Sequence, residues 1–169
     1  MEKAYVAIGS NLGNRKKNCE AALAAFSLHP DIKVLSVSPW YRSKAFTLDQ
    51  QPQPDYCNGV IELTTTLSAH SLLHYLQEIE KKLGRKKENE RWRPRTLDLD
   101  LLFYGEQILK EKELMVPHPE MIKRIFVLQP LCDIAPDIIH PLQKQAVRKL
   151  LLFLKKASAT DELQPWDES

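Results

Sequence analysis

The chain has 169 residues, 43% hydrophobic and 27% charged, with a formal net charge of +2. This composition fits one globular domain and excludes a disordered chain. A net charge so close to zero argues against a general nucleic-acid or membrane-surface binder.

Residues 4–8 predict a buried strand, followed by the turn Gly9-Ser10-Asn11-Leu12-Gly13-Asn14. A helix is expected from about 14 to 28, stopped by His29-Pro30. Residues 32–42 are rich in β-branched and aromatic side chains and predict one strand. Residues 43–55 carry Gln50-Gln51-Pro52-Gln53-Pro54 without periodicity, and a long loop in a compact domain often has a function. A strand over 56–65 and a helix over 68–83 follow, with Ser68 as N-cap and Gly84 as stop.

A basic segment runs to Arg95, and a strand over 96–103 comes next. A short hairpin is expected within 106–116, short helices broken by Pro130 over 119–135, a last helix over 143–156, and a polar, frayed tail from about 158. The order predicts an α+β fold: a ferredoxin-like βαββαβ core in three layers, with an added hairpin and C-terminal helices. One domain spanning 1–169 is expected, as a monomer.

The three cysteines, Cys19, Cys57 and Cys132, form no CxxC pair and no disulfide framework. They are expected as free, buried side chains in a reducing compartment. No apolar run approaches the ~18 residues of a membrane span, and the N-terminus lacks an apolar leader, so a cytoplasmic location is expected.

The strongest chemical signal is Leu97-Asp98-Leu99-Asp100-Leu101. Alternate residues of a strand share a face, so the two aspartates point one way and the leucines the other. Magnesium takes oxygen ligands and often uses one or two carboxylates together with substrate phosphates. Just upstream, residues 81–95 hold eight Lys or Arg against two Glu, a site for an anion. Trp92 could stack on a base or serve as an apolar anchor. His118, held between Pro117 and Pro119, could donate to a phosphate or be an ordinary loop residue.

Gly9-Ser10-Asn11-Leu12-Gly13 is not a P-loop, because no Gly-Lys-Ser/Thr element follows. His70 and His74 share a helical spacing but have no Glu at 71, which argues against zinc. An RNA-binding sheet would leave the aspartate pair unexplained, and a two-metal hydrolase would need further ligands.

Arg91-Trp92-Arg93-Pro94-Arg95-Thr96-Leu97-Asp98-Leu99-Asp100 resembles the signature of the 6-hydroxymethyl-7,8-dihydropterin pyrophosphokinases of folate biosynthesis. Ala7-Ile8-Gly9-Ser10-Asn11-Leu12-Gly13, Gln53-Pro54-Asp55-Tyr56-Cys57-Asn58, Val116-Pro117-His118-Pro119 and Ile134-Ala135-Pro136 are similar to further motifs of that family. The resemblance implies transfer of pyrophosphate from ATP to the pterin hydroxymethyl group, releasing AMP. It implies that Asp98 and Asp100 hold two magnesium ions and that Arg85 and Arg95 act on the phosphates. Gln77, Glu80, Lys87, Trp92, Leu101, His118 and Arg124 would line the nucleotide site. Tyr56 and Phe126 would sandwich the pterin, with Ser43 and Asn58 bonding its edge. Lys87 stands where a second arginine is frequent, and Arg93 where glycine is frequent. The implied partners are ATP and the pterin, with neither nucleic acid nor membrane.

Overall fold

The computed structural model describes residues 1–45, 53–83, 96–157 and 163–167. The expected stop at Gly84 and the basic segment through Arg95 lie outside the described residues. The core is an antiparallel sheet built around strand β1 (Glu2–Ser10), which reads as a nearly continuous apolar run because both its faces are covered. It pairs on one side with β4 (Tyr56–Thr65) and on the other with β5 (Asp98–Tyr104). Strands β2 (Ile32–Val37) and β3 (Tyr41–Ser43) both pair with the far edge of β4. The order β5-β1-β4-β3, with β2 also on β4, is that of the expected ferredoxin-like core.

Helices α1 (Arg15–Leu28) and α2 (Ala69–Lys82) cover one face of the sheet. The turn before α1 needs Gly13, whose φ of 72° lies in the left-handed region. Asn14 then caps the helix by accepting the Lys17 N–H. Ser68 caps α2 in the same way, accepting from Ser71 N. Leu72, Leu76 and Ile79 of α2 pack with Phe26 of α1 against Val6, Ile8, Leu99 and Leu101. The other face is covered by α3 (Ile125–Ile134) and α4 (Val147–Ala157). There Tyr5, Val60, Leu102 and Phe103 meet Val127, Leu128, Leu131 and Leu150. The expected hairpin is the pair β6 (Leu109–Lys110) and β7 (Met115–Val116). Among the described residues, no helix is long and apolar enough to cross a membrane.

Four expectations are corrected. Residues 32–42 form two strands, not one, because Pro39 has no N–H for a ladder. Ser38 bridges the gap: its N–H donates to Val60 O and its Oγ accepts Val60 N–H, each at 2.9 Å. Pro130 does not break a helix but sits inside α3. It has no N–H to give the Phe126 carbonyl, yet the helix continues because Val127, Leu128 and Leu131 are buried in the core. The last helix starts at Val147 and not at 143, since Lys144 takes a φ of 58° and His140 Nδ1 accepts the Leu142 and Gln143 N–H groups. The tail is not frayed throughout: Gln164–Pro165 form β8, paired with β3. Cys19 and Cys57 are buried as expected, Cys132 is half-buried, and all three are free.

Candidate active site

The α3/α4 layer covers only part of its face of the sheet. Beside it lies a cleft of about 420 Å³. Its floor comes from strand alternation and register. Asp98 stands opposite Gly9, and Gly9 opposite Asn58, so the three form a row across β5, β1 and β4. Asp100 stands opposite Ala7 on the same face, one pleat deeper. Leu97, Leu99 and Leu101 point the other way and are buried beneath α2, as the alternation predicts.

Gly9 keeps this floor open. A Cβ there would lie 3.3 Å from Asn58 Oδ1 and 3.4 Å from the Tyr56 ring. Asn58 is buried, and its Nδ2 donates to Ser43 Oγ at 2.6 Å. That bond ties β3 to β4 and fixes both side chains, leaving a short polar edge on the floor. Tyr56 and Ser43 are register partners at the same end.

The wall is the stretch from His118 to Val127. The His118 N–H donates to Leu102 O at 2.9 Å, which hangs the Pro117-His118-Pro119 run beside β5. His118 Nδ1 accepts the Glu120 N–H at 3.1 Å, so the neutral ring carries its proton on Nε2. Nε2 lies 3.9 Å from Asp100 Oδ1. Burial holds this imidazole below its ordinary range, and the Arg124 charge adds to that effect. Arg124 and Phe126 complete the wall, with the guanidinium 5.8 Å from the ring centroid.

The cleft therefore collects eight residues singled out from the sequence: Ser43, Tyr56, Asn58, Asp98, Asp100, His118, Arg124 and Phe126. Three others lie elsewhere. Gln77 is exposed on α2, Leu101 is buried, and Glu80 is buried with Oε2 accepting the Leu99 N–H at 2.9 Å. Arg85, Lys87, Trp92 and Arg95 lie outside the described residues. The cleft also takes in Lys44, Glu120 and Gly9, to which sequence reasoning gave no role in the site. Of these three only Gly9 belongs to the motif over residues 7–13, and its part depends on register, which no local pattern reports.

Among the described residues no group of three or more His, Cys, Asp or Glu is disposed around one metal position. Two carboxylates on one cleft face still fit a magnesium ion, which commonly takes its other ligands from water and phosphate.

The model of the family described as 7,8-dihydro-6-hydroxymethylpterin-pyrophosphokinase matches residues 5–136. The 2-amino-4-hydroxy-6-hydroxymethyldihydropteridine pyrophosphokinase of Synechocystis is 45% identical over 148 residues, covering 88% of this chain and 74% of that protein. The protein of the same name from Pseudomonas aeruginosa is 46% identical over 141 residues, 83% of this chain and 85% of the other. Among solved structures, an HPPK-DHPS in complex with substrates superposes with a TM-score of 0.74 at 13% identity, over 94% of this chain. The wild-type HPPK-DHPS of Plasmodium falciparum gives a TM-score of 0.71 at 13% identity, over 93% of this chain. The chain spans about half the length of those two, 46% and 45%, and at such identity the likeness shows the fold.

Proposed function

The chain belongs to the 7,8-dihydro-6-hydroxymethylpterin-pyrophosphokinase family, and from that premise we propose that its cleft takes the pterin at one end and the ATP phosphates at the other. The protein is an ATP-using pyrophosphokinase of folate biosynthesis. The pterin lies between Tyr56 and Phe126, whose faces suit a flat heteroaromatic ring, while Asn58 and Ser43 bond its edge. The observation that carries this division is the row Asp98–Gly9–Asn58: a carboxylate and a polar amide share one floor with no side chain between them.

Asp98 and Asp100 would hold magnesium, two ions by the family resemblance. When bound, that metal neutralises phosphate charge and orients the triphosphate. Arg124 adds a fixed positive charge on the wall. Its fork suits two phosphate oxygens at once. The neutral His118 donates from Nε2 to a phosphate oxygen beside Asp100. Arg85, Lys87, Trp92 and Arg95 act on the nucleotide from the basic segment. Gln77 and Glu80 serve it from α2, and Leu101, buried by its side chain, offers the backbone of β5. Transfer requires the pterin hydroxymethyl oxygen in line with the β-phosphorus of ATP, and AMP leaves. A strong base is not required, because positioning and charge neutralisation supply most of the rate. The domain acts as a single unit and as a monomer.

The test is a product assay with ATP, magnesium and hydroxymethyl-dihydropterin. AMP forms only when both magnesium and pterin are present. ADP would move the attack to the γ-phosphorus. In the same assay Asn58→Ala and Phe126→Ala raise the pterin KM, and an unchanged KM in both would overturn the placement of the pterin.

A further inference from the structure

Residues 163–167 return from the end of the chain to the pterin end of the sheet. β8 pairs with β3 in the register Tyr41↔Pro165 and Arg42↔Gln164, and Trp166 N–H donates to Trp40 O at 2.9 Å. Pro165 suits this place, since a proline is tolerated on an edge strand. Without β8 the outer edge of β3 would be open.

Two arginine guanidinium groups lie over the Trp166 ring. The Arg15 guanidinium carbon lies 4.8 Å from the ring centroid and that of Arg42 lies 4.3 Å from it. Both arginines reach the same neighbouring residue. Arg15 Nη1 donates to Asp55 O at 2.7 Å, and Arg42 Nη1 lies 3.7 Å from Asp55 Oδ2. Arg42 also donates to Asp167 O at 3.2 Å, closing the tail onto its own clamp. Asp55 immediately precedes Tyr56, and Arg42 immediately precedes Ser43. Ser43 and Tyr56 face each other in the ladder, and Ser43 accepts from Asn58.

We propose that Trp166 is a positioning residue for the pterin: through Arg15 and Arg42 the C-terminal strand fixes the strand ends that carry Ser43 and Tyr56. It touches neither substrate. It orders the two arginines, each with a long side chain that loses much rotamer freedom when held. The arginines in turn hold Asp55 and the β3–β4 junction. This inference rests on placing the pterin at Ser43, Tyr56 and Asn58. The phosphate end of the cleft, at Asp98 and Asp100, lies across the sheet on β5 and has no part in the clamp.

The test compares Trp166→Leu, Trp166→Phe and Asn58→Ala with the parent protein. Trp166→Leu keeps apolar bulk but removes the π-face that attracts both guanidinium groups. It is expected to raise the pterin KM roughly three- to tenfold, with the ATP KM and kcat within about twofold of the parent. Trp166→Phe restores most of the pterin KM. Without any substrate, the backbone amides of residues 41–43 exchange hydrogen faster in Trp166→Leu. Melting is followed for every variant. An unchanged pterin KM in Trp166→Leu, while Asn58→Ala raises it, overturns the clamp alone. A Phe variant no better than Leu also overturns it, since packing would then suffice. If both KM values and kcat worsen together with a lowered Tm, the tail serves general stability and the inference fails. An unchanged KM in Asn58→Ala overturns the pterin placement, and the inference with it.

Discussion

Replacing Glu80 with leucine tests how the sheet edge holds the aspartate pair. Glu80 is 3% exposed, and its carboxylate accepts the Leu99 N–H at 2.9 Å. Leu99 stands between Asp98 and Asp100, so this bond fixes the backbone on which both carboxylates are mounted. Leucine has similar bulk and no acceptor. The Leu99 N–H is then buried without this partner, at a cost of about 1–3 kcal/mol. For a domain of this size 1 kcal/mol moves Tm by about 2–4 °C, so a fall of roughly 2–12 °C is expected by calorimetry. A strand that shifts at Leu99 also misplaces the carboxylates, and kcat falls roughly tenfold, since small misplacements are expensive in such sites. Glu80→Gln keeps an oxygen acceptor and retains most of both properties. A Glu80→Leu protein with parental Tm and kcat would refute the anchoring argument. Parental Tm with a raised ATP KM would leave Glu80 its proposed nucleotide role and remove the anchoring one.

Asp98→Asn and Asp100→Asn each lower kcat by about 10²-fold or more through lost charge stabilisation, while circular dichroism and Tm stay parental; activity close to parental in either variant would remove it from the proposed metal site. Gly59→Ala places a Cβ 2.6 Å from two atoms of the Trp40 ring, and this overpacking should cost about 1–3 kcal/mol, seen as a lower midpoint in urea. Burial holds the His140 imidazole below its ordinary 6.5, and Nδ1 already accepts two backbone N–H groups. The unfolded chain therefore takes up a proton that the folded chain resists. The stability from this group is complete above about pH 6.5 and is lost below it, by up to about 1.4 kcal/mol per pH unit. In His140→Asn, where Oδ1 replaces Nδ1 as acceptor, the drop in Tm between about pH 7.5 and about pH 5.5 should shrink; an equal drop would show that His140 does not contribute to it.

What the sequence showed, it showed through local pattern. The strand Tyr56–Thr65 has the expected bounds, because a mostly apolar run of strand-forming residues sits between Pro54-Asp55 and the cap at Ser68. Asp98 and Asp100 were placed on one face by alternation alone, and the structure agrees. What the sequence hid depends on partners far along the chain. Gly9 matters because Asn58 and Tyr56 lie beside it, a fact of register. Trp166 looked like part of a polar tail because its two cationic partners, Arg15 and Arg42, lie more than a hundred residues away. A lone Trp next to a Pro in such a tail was the available signal. Pro130 misled in the opposite direction: its local effect on a helix is real, but burial of the surrounding apolar residues outweighs it.

The register of β5 explains why the cleft ends where it does. Strict alternation from Asp98 would put Leu102 on the cleft face and Phe103 beneath α2. The pairing instead runs Val6↔Leu101 and then Tyr5↔Phe103, so Leu102 is an extra residue in the ladder. After this bulge both Leu102 and Phe103 lie in the α3/α4 core. Tyr104 crosses to the opposite core, where its hydroxyl donates to Leu67 O. One strand thus supplies two carboxylates to an open cleft and, two residues later, two large apolar side chains to a buried core. The bulge acts a second time through its backbone: Leu102 O accepts the His118 N–H. The position of His118 beside Asp100 is therefore set by a defect in β5 as well as by the prolines that flank it. An unbulged β5 would lose that carbonyl and one of the two apolar side chains together, so the cleft wall and the core beneath it depend on the same extra residue.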